Sequence, residues 1–458
     1  MVSRSRTRRI TGAFVSFTAV GLLASCVPGT TGAGTANSAG KGAVATDPAA
    51  MGKVTLNVLD TFSGGTDNTW MTSVVKTFEK KYPNITIKRT SMAWGDAMAA
   101  LPLKLKSANP PDIVPPNNGW QSMGTLVRGG LLLNLDNYAK AYGWNKSFPQ
   151  SILSQEEFST DGKQMGTGSL FGTPVARASL IEVYYNRSLL KKIGAKVPTT
   201  LAEFEADLAK AKSAGITPVT VGNSDQNGVT QTLYSLMDAY GSQRKISDFV
   251  YSQNDVGITR TGFPEAVATY KKWSDKGYLT EDYAGVASAA AAQSFVNGKG
   301  LFHFDYSGSL PLKTGQSKGF GSFVLPRADG GKAVATASAA ANFSISSKSR
   351  HADAAAAFLD FAAGEQAAEL AVENGTMPLL HPDVKATGED PLLADDVAIA
   401  QGISADGTAV PYLDWATPTL YNTINTTMQS MLAGKSTEKA VVTAADRDAA
   451  AYVKTLGK

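Results

Sequence analysis

Residues 171–204 alternate apolar runs with turn residues in an order that predicts a strand followed by two helices. The run over 180–185 is rich in β-branched and aromatic residues and is bounded by turn residues, which is typical of a strand. A short helix is predicted over 188–193. Thr200, with Glu203 three residues later, is the capping-box signature of a second, longer helix.

In the first third of the chain, short apolar strands alternate with segments of helical period. The predicted strands cover 54–59, 85–88 and 112–114, and the predicted helices cover 70–82 and 96–107. This rhythm predicts an α/β fold with a doubly wound, largely parallel sheet. Ligands of such sheets bind beyond the carboxyl ends of the strands. The loops at 60–68, 92–96 and 115–120 therefore form the candidate binding edge.

The same kinds of pattern continue through the rest of the chain. Strands are predicted at 216–221, 301–304 and 340–346, and helices at 202–214, from 230, at 262–276, at 285–296, from 349, and twice after 415. No repeat of fixed period is present. A chain of 458 residues exceeds what one hydrophobic core usually organises, so two lobes are expected.

The first 25 residues are typical of an export signal. Four arginines precede an apolar stretch over 13–24, which is too short to span a bilayer comfortably. The stretch ends in Leu-Ala-Ser before Cys26, which resembles the lipobox of bacterial lipoproteins. We therefore expect 1–25 to be a signal peptide and Cys26 to carry the lipid. Arg8 and Arg9 leave a twin-arginine route open beside the general one.

Composition restricts the remaining classes. Residues 26–52 are rich in Gly, Ala, Thr and Ser, which predicts a flexible tether. Four of the 43 basic residues lie in the predicted signal peptide, so the remainder carries 39 basic and 39 acidic residues. It therefore offers no basic stripe for nucleic acid. The chain has one cysteine, which excludes an intrachain disulfide.

No cofactor and no metal is predicted. Three widely spaced histidines and one cysteine do not make a zinc site. Asn223, Asp225, Asn227 and Gly228 match the start of a calcium loop, but Tyr234 stands where the bidentate glutamate is needed. We interpret this segment as a loop at the binding edge.

Eight short motifs occur in one order along the mature chain. They are FEKKYPNITI (78–87), PPDIV (110–114), FGTPVARASLIEVYYN (171–186), VPTTLAEF (197–204), FVNGKGLFHFD (295–305), AAAAFLDF (354–361), NGTMP (374–378) and AGKSTEKAV (433–441). Each motif alone is weak, but the ordered set behind a lipobox resembles the extracellular solute-binding proteins of ABC importers. The branch it resembles includes maltose-binding and other sugar-binding receptors.

The resemblance implies two α/β lobes with a ligand cleft between them, joined by crossings near Arg177, Gly319 and Glu373. The implied N-terminal lobe is 53–177 plus 320–373, and the C-terminal lobe is 178–319 plus 374–458. The implied partners are a small solute, an ABC permease and its ATPase. The protein would be an exported monomer, anchored by the lipid on Cys26 to the outer face of the cell membrane.

A sugar site needs aromatic faces for stacking and polar groups for hydroxyl pairs. Trp70 and Trp273 lie on periodic apolar helix faces and are assigned to the core. The candidate ligand-binding residues lie at strand ends, loops or helix starts: Asp60, Trp94, Asn118, Trp120, Arg177, Asn223, Asp225, Asp305, Tyr306 and Trp415. After the strand at 301–304, many relatives have Gly followed closely by Trp, whereas this chain has DYSGS. Either Tyr306 takes the stacking role, or the pocket has a different shape.

The leading hypothesis is a non-enzymatic substrate-binding lipoprotein that captures a sugar or oligosaccharide and delivers it to a permease. The alternatives are a binding protein for a polyol, glycerol phosphate or polyamine, a secreted carbohydrate-active enzyme, and a receptor that signals to a membrane kinase. Arg177 can bind a hydroxyl pair or a carboxylate, or it can pin the crossing strand through a salt bridge.

Overall fold

The computed structural model describes residues 44–458, except 226–227, 314, 340, 379, 382, 386–389 and 458. The predicted signal peptide, Cys26 and most of the predicted tether lie outside the described residues. The end of the tether is fixed to the folded body, because the Asn84 amide donates to the carbonyl oxygens of Pro48 and Met51, each at 2.8 Å. None of the described helices is long and apolar enough to cross a membrane.

Thirteen short strands are present among the described residues. They are β1 (Val54–Asp60), β2 (Ile85–Ser91), β3 (Ile113–Val114), β4 (Glu157–Phe158), β5 (Ser169–Leu170), β6 (Thr173–Pro174), β7 (Ala178–Asn186), β8 (Thr217–Thr220), β9 (Gly300–Tyr306), β10 (Phe320–Phe323), β11 (Ala335–Ala339), β12 (Asn342–Ile345) and β13 (Ala409–Val410). The long strand predicted at 180–185 is β7, which is buried along almost its whole length.

The helices of the first part of the chain surround these strands. They are α1 (Gly65–Lys81), α2 (Trp94–Lys106), α3 (Met123–Arg128), α4 (Asp136–Tyr142), α5 (Trp144–Ser147), α6 (Gln150–Leu153), α7 (Arg187–Lys192), α8 (Leu201–Ser213) and α9 (Gly228–Tyr240). The predicted capping box at the start of α8 is confirmed. The Glu203 N–H donates to Thr200 Oγ1 at 3.1 Å, and the Thr200 N–H donates to Glu203 Oε2 at 3.2 Å. Such a cap stabilises a helix by about 1 kcal/mol.

The remaining helices follow β8. They are α10 (Gln243–Val250), α11 (Phe263–Asp275), α12 (Ser288–Val296), α13 (Ala352–Ala363), α14 (Glu365–Glu373), α15 (Pro391–Asp406), α16 (Leu420–Leu432) and α17 (Glu438–Thr455). Trp70 in α1 and Trp273 in α11 are fully buried, which confirms the core assignment made from their helix faces.

Two sheets organise two lobes. The first lobe contains a five-stranded sheet in the order β2-β1-β3-β12-β6, and the second contains a six-stranded sheet in the order β13-β11-β7-β9-β8, with β10 also paired to β7. The predicted α/β class is confirmed. The prediction of a largely parallel sheet holds for β1, β2 and β3, and the second sheet adds the parallel pairs β8–β9 and β11–β13. The other pairs depart from it, because β12 is antiparallel to β3 and β7 is antiparallel to β9, β10 and β11.

The chain changes sheets at places that differ in part from the expected crossings. The first change lies between β6 and β7, which is where Arg177 was expected to mark it. The second does not lie near Gly319. Strands β10 and β11 pair with β7, so the chain stays in the second sheet until Ala339 and enters the first sheet at Asn342. The third lies between α14 and β13. Residues 320–339 therefore belong with the second sheet and not with the N-terminal lobe.

Candidate ligand-binding cavity

A cavity of about 640 Å³ lies between the two sheets. This volume is typical of a small-molecule site. Its first-lobe lining is Thr61, Trp94, Pro115, Pro116, Asn117, Asn118, Gln121, Ala341 and Asn342. Its second-lobe lining is Ser179, Thr230, Tyr234, Tyr306, Ser338, Ala339, Tyr412, Asp414, Trp415, Tyr421 and Asn422. The lining combines aromatic rings with short polar side chains.

Aromatic rings of the second lobe form one wall. Tyr412 is the centre of this group, with ring centroids 6.2 Å from Tyr306, 6.4 Å from Tyr234 and 5.0 Å from Trp415. Burial raises the pKa of Tyr421 to about 12, so this hydroxyl stays neutral at neutral pH and acts as an ordinary hydrogen-bonding group. Such a wall offers flat apolar faces with polar tips.

Asp414 places a buried carboxylate in the cavity. Tyr234 Oη donates to its Oδ1 at 2.7 Å, and Gln121 Nε2 donates to its Oδ2 at 3.0 Å. Burial raises the pKa of Asp414, and the two donated hydrogen bonds act in the opposite direction. Among the ion pairs of the described residues, none involves Asp414. A carboxylate without a cationic partner has oxygens available for a ligand's hydroxyl groups.

Two amides of the first-lobe wall share one buried partner. Asn118 and Asn342 both line the cavity, and both donate to the same carboxylate behind the wall. Asn118 Nδ2 lies 2.9 Å from Glu156 Oε1, and Asn342 Nδ2 lies 2.8 Å from Glu156 Oε2. Burial raises the pKa of Glu156 to about 8, although the two amide donations lower it.

The lobes contact each other beside the cavity. The backbone N–H of Trp120 donates to the carbonyl of Trp415 at 3.1 Å, and Gln121 reaches Asp414 across the same boundary. Gly119 makes this approach feasible. Its φ is +85°, and a Cβ built there would lie 2.4 Å from the Cβ of Trp415. A side chain at this position would force the lobes apart.

Four of the predicted binding residues line this cavity: Trp94, Asn118, Tyr306 and Trp415. Trp94 is 56% exposed and stands at the start of α2, where its ring is free to contact a ligand. Asn118, Tyr306 and Trp415 are more enclosed. Loops at strand ends therefore do supply lining residues, as the parallel-sheet argument predicted for the first lobe.

Asp60 and Trp120, also predicted to bind ligand, do not line this cavity. Asp60 is fully buried and accepts from Arg89, with Nε at 2.7 Å from Oδ2 and Nη2 at 3.0 Å from Oδ1. Trp120 is 1% exposed, and its ring packs edge-on against Phe158 at 5.4 Å and Tyr452 at 5.5 Å. Asp60 thus pins neighbouring strands, and Trp120 packs at the lobe boundary.

Arg177 lies in an adjoining cavity of about 320 Å³, which shares Ser179 and Tyr306 with the first. Its guanidinium is buried, and Nη2 pairs with Asp67 Oδ1 at 2.8 Å. Nη1 donates to the Ala178 carbonyl at 3.2 Å. Of the two roles left open by the sequence, the salt bridge is the one present in this structure.

The other three predicted residues also lie outside the lining. Asn223 is fully buried, and its backbone bonds to Tyr283 and Gln429. Asp225 accepts from Ser288 Oγ at 2.7 Å, at the start of α12. Asp305 accepts from the backbone N–H of Tyr306 at 2.8 Å. Asp225 and Asp305 accept hydrogen bonds within the protein through their side chains, whereas Asn223 does so through its backbone. Among the described residues, no group of three or more His, Cys, Asp or Glu is arranged to hold a metal.

Sequence reasoning missed several lining residues. Tyr412 and Asp414 lie just before Trp415, so a window around that tryptophan would have found both. Tyr234 entered the prediction only as the residue that breaks a calcium loop. Asn342 gives no local signal, and neither does Glu156 behind the wall, because their hydrogen bond joins residues that are 186 positions apart.

The sequence matches a known protein family. A family model described as "Bacterial extracellular solute-binding protein" matches residues 63–369. A multiple sugar-binding protein of Streptococcus mutans is 24% identical over 70% of this chain and 74% of its own length.

Solved structures share the fold. A chitin oligosaccharide binding protein superposes with a TM-score of 0.70 at 19% identity, covering 88% of this chain and all of that one. The solute receptor AcbH, described as preferring b-D-galactopyranose, superposes with a TM-score of 0.71 at 16% identity, covering 89% of this chain and all of that one. The chain belongs to the family of bacterial extracellular solute-binding proteins.

Proposed function

We propose that this protein is the sugar-binding receptor of an ABC importer and that it carries out no chemistry on its ligand. The observation that carries the proposal is the composition of the cavity between the lobes. It places aromatic rings, a buried carboxylate and two amides around a space of about 640 Å³. Aromatic faces and hydroxyl-binding groups are what a saccharide requires. The family and the sugar-binding relative support the same conclusion.

The recognition chemistry divides between the walls. Tyr306, Tyr412 and Trp415 offer stacking surfaces from the second lobe. Asp414 accepts from ligand hydroxyls, and its charge makes those hydrogen bonds stronger than neutral ones. Asn118 contributes from the first lobe. Ligand contacts to both lobes stabilise the closed arrangement, which the permease then receives.

The proposal includes export and anchoring. Residues 1–25 act as the signal peptide, and Cys26 carries a lipid that holds the mature monomer to the outer face of the cell membrane. The lipobox-like Leu-Ala-Ser-Cys segment supports this step. Labelling cells with a radioactive fatty acid tests it: the wild-type protein should take up label, and Cys26→Ser should not. Equal labelling of both would contradict the anchor.

A thermal-shift screen tests the ligand class. The panel contains galactose, raffinose, maltotriose and chitotriose, with sorbitol, glycerol phosphate and spermidine as the non-sugar arm. A ligand that binds only the folded protein at about 100 times its Kd adds about 2.7 kcal/mol of stability. At least one saccharide should raise the melting temperature and be recovered unchanged. Stabilisation only by a non-sugar, or conversion of a saccharide into product, would contradict the proposal.

A further inference from the structure

Glu156 lies behind the cavity wall and contacts two lining residues at once. We propose that Glu156, when ionised, is a positioning residue that makes Asn118 and Asn342 present their carbonyl oxygens to the cavity, so that this wall selects ligands rich in hydrogen-bond donors. The inference deepens the proposed function and rests on it. It predicts that a saccharide places free hydroxyl groups at this wall and that carboxylate and phosphate groups are disfavoured there.

The hydrogens of both amides are directed into the protein. Asn118 Nδ2 donates to the Gln155 carbonyl at 2.9 Å and to Glu156 Oε1 at 2.9 Å. Asn342 Nδ2 donates to Glu156 Oε2 at 2.8 Å and faces Met123 Sδ at 3.8 Å. A primary amide has two hydrogens, and both are directed into the protein in each case. The carbonyl oxygen is the group each amide has left for a ligand.

Glu156 determines which end of each amide faces the cavity. An ionised carboxylate only accepts hydrogen bonds, so an amide beside it must turn its NH₂ group inward. With one oxygen for each amide, Glu156 fixes both orientations together. Asp414 on the opposite wall is also an acceptor. A ligand between acceptors on both sides needs donors, whereas a carboxylate or phosphate group would meet oxygen atoms with no proton between them.

The side chain of Glu156 is held in a fixed position. Glu156 is 1% exposed, and its backbone carbonyl accepts from the Phe171 N–H at 3.0 Å. A Cβ built on Gly172 would lie 2.4 Å from Glu156 Oε2, so the carboxylate fills the space that a side chain there would take. Glu156 therefore has little room for another rotamer, and the amide orientations follow from its position.

The titration of Glu156 supplies a readout that a purely structural role would not change. Burial raises its pKa to about 8, and its titratable neighbours are Glu157 and Tyr251, whose pKa values burial also raises. When Glu156 takes up a proton, one oxygen becomes a donor and one amide must turn its carbonyl inward. The wall then loses an acceptor. Ligand affinity should therefore rise as the pH rises through about 8.

The experiment measures affinity by calorimetry between about pH 6 and about pH 10, with the saccharide that gives the largest shift in the panel. Wild type is compared with Glu156→Gln, which has the same shape but always carries an NH₂ group. The ratio of the wild-type affinity to the Glu156→Gln affinity should grow from about one at low pH to about ten above pH 8. Taking the ratio of the two proteins cancels the titration of Asp414. The control, Glu157→Gln, should keep the wild-type profile.

A ratio that stays constant with pH, or stays at unity, would overturn the inference while leaving the sugar-binding proposal intact. Absence of binding to every saccharide would contradict both. If Glu156→Gln does not fold, Asn342→Leu gives a second test. It removes one of the two donations that lower the pKa of Glu156, so the midpoint of the affinity profile should move to higher pH. An unmoved midpoint would also overturn the inference.

Discussion

Replacing Asp414 by asparagine should weaken ligand binding and stabilise the ligand-free protein. The carboxylate is buried, it accepts from Tyr234 at 2.7 Å and Gln121 at 3.0 Å, and burial raises its pKa. Asparagine has the same shape and retains an oxygen for the Tyr234 hydroxyl. It lacks the charge that makes Asp414 a strong acceptor for ligand hydroxyls. Opposite effects on binding and stability are the signature expected of a site residue.

The size of the binding effect follows from the hydrogen bonds. A hydrogen bond to a charged group contributes about 1.5–3 kcal/mol and a neutral one about 0.5–1.5 kcal/mol. A ligand that donates two hydroxyls to Asp414 would lose about 2 kcal/mol, which is roughly a 30-fold rise in Kd. Isothermal titration calorimetry with the saccharide that shifts the melting temperature most measures this change.

The stability effect has a defined pH dependence. Because the folded-state pKa of Asp414 is raised, its contribution to stability is full below the ordinary aspartate pKa near 4 and is lost as the pH rises through the folded-state value. Asp414→Asn should therefore match wild type in acid and exceed it at higher pH. Urea unfolding at two pH values measures the difference.

Asp60→Asn is the matched control. Asp60 is also a buried aspartate, but it forms a two-point ion pair with Arg89, whose side chain is 14% exposed. Removing one partner of such a pair costs about 3–5 kcal/mol. This variant should lose stability and keep the wild-type Kd. If Asp414→Asn is destabilised like Asp60→Asn and binds as wild type does, Asp414 is a structural residue and the reasoning is refuted.

Three further predictions concern two tryptophans, the ion pair of Asp67 with Arg177, and the buried carboxylate of Asp238. Trp94→Ala should weaken saccharide binding and change the free energy of unfolding by under about 0.5 kcal/mol, because Trp94 is exposed. Trp120→Ala should lower the free energy of unfolding by about 3–5 kcal/mol, because Trp120 is buried. Equal destabilisation of the two variants in urea would contradict this. Asp67→Asn should lower stability by about 1 kcal/mol or more, because buried Arg177 loses its charged partner, and an unchanged urea midpoint would refute it. Burial raises the pKa of Asp238 to about 7, so Asp238→Asn should make the fall in stability between about pH 4 and pH 7 shallower than in wild type by about 1.4 kcal/mol per pH unit; a slope equal to that of wild type would exclude Asp238 as one of its sources.

Local patterns predicted what depends on local contacts. The capping box of Thr200 and Glu203 is confirmed because both partners lie within one turn. Trp70 and Trp273 are core residues because helical period alone places them on buried faces. In each case a few neighbouring residues contain the information that decides the structure.

Long-range pairing decided the parts that sequence patterns did not predict. Asp60 ends a strand, as a ligand-binding residue would, but Arg89 on the neighbouring strand takes its carboxylate. The crossing expected near Gly319 lies after Ala339, because β10 and β11 pair with β7 in the second sheet. Strand-end position identifies residues that are able to reach a site, and the partners supplied by other strands decide which of them do.

The same limit applies to the cavity wall. Glu156 lies in a stretch with no strong periodicity, and its amide partners lie 38 and 186 residues away. Neither its burial nor its two hydrogen bonds follows from neighbouring residues. Only the fold shows that one carboxylate holds two lining amides.

A crystal structure of the protein with the saccharide that shifts the melting temperature most tests the central claim directly. The account predicts a sugar between the lobes, with a ring face against the wall that contains Tyr306 and Trp415. Its hydroxyls should lie within hydrogen-bond distance of Asp414 and of the carbonyl oxygens of Asn118 and Asn342. A sugar bound outside this cavity, or bound in it with Asp414 and both amides uncontacted, would contradict the account.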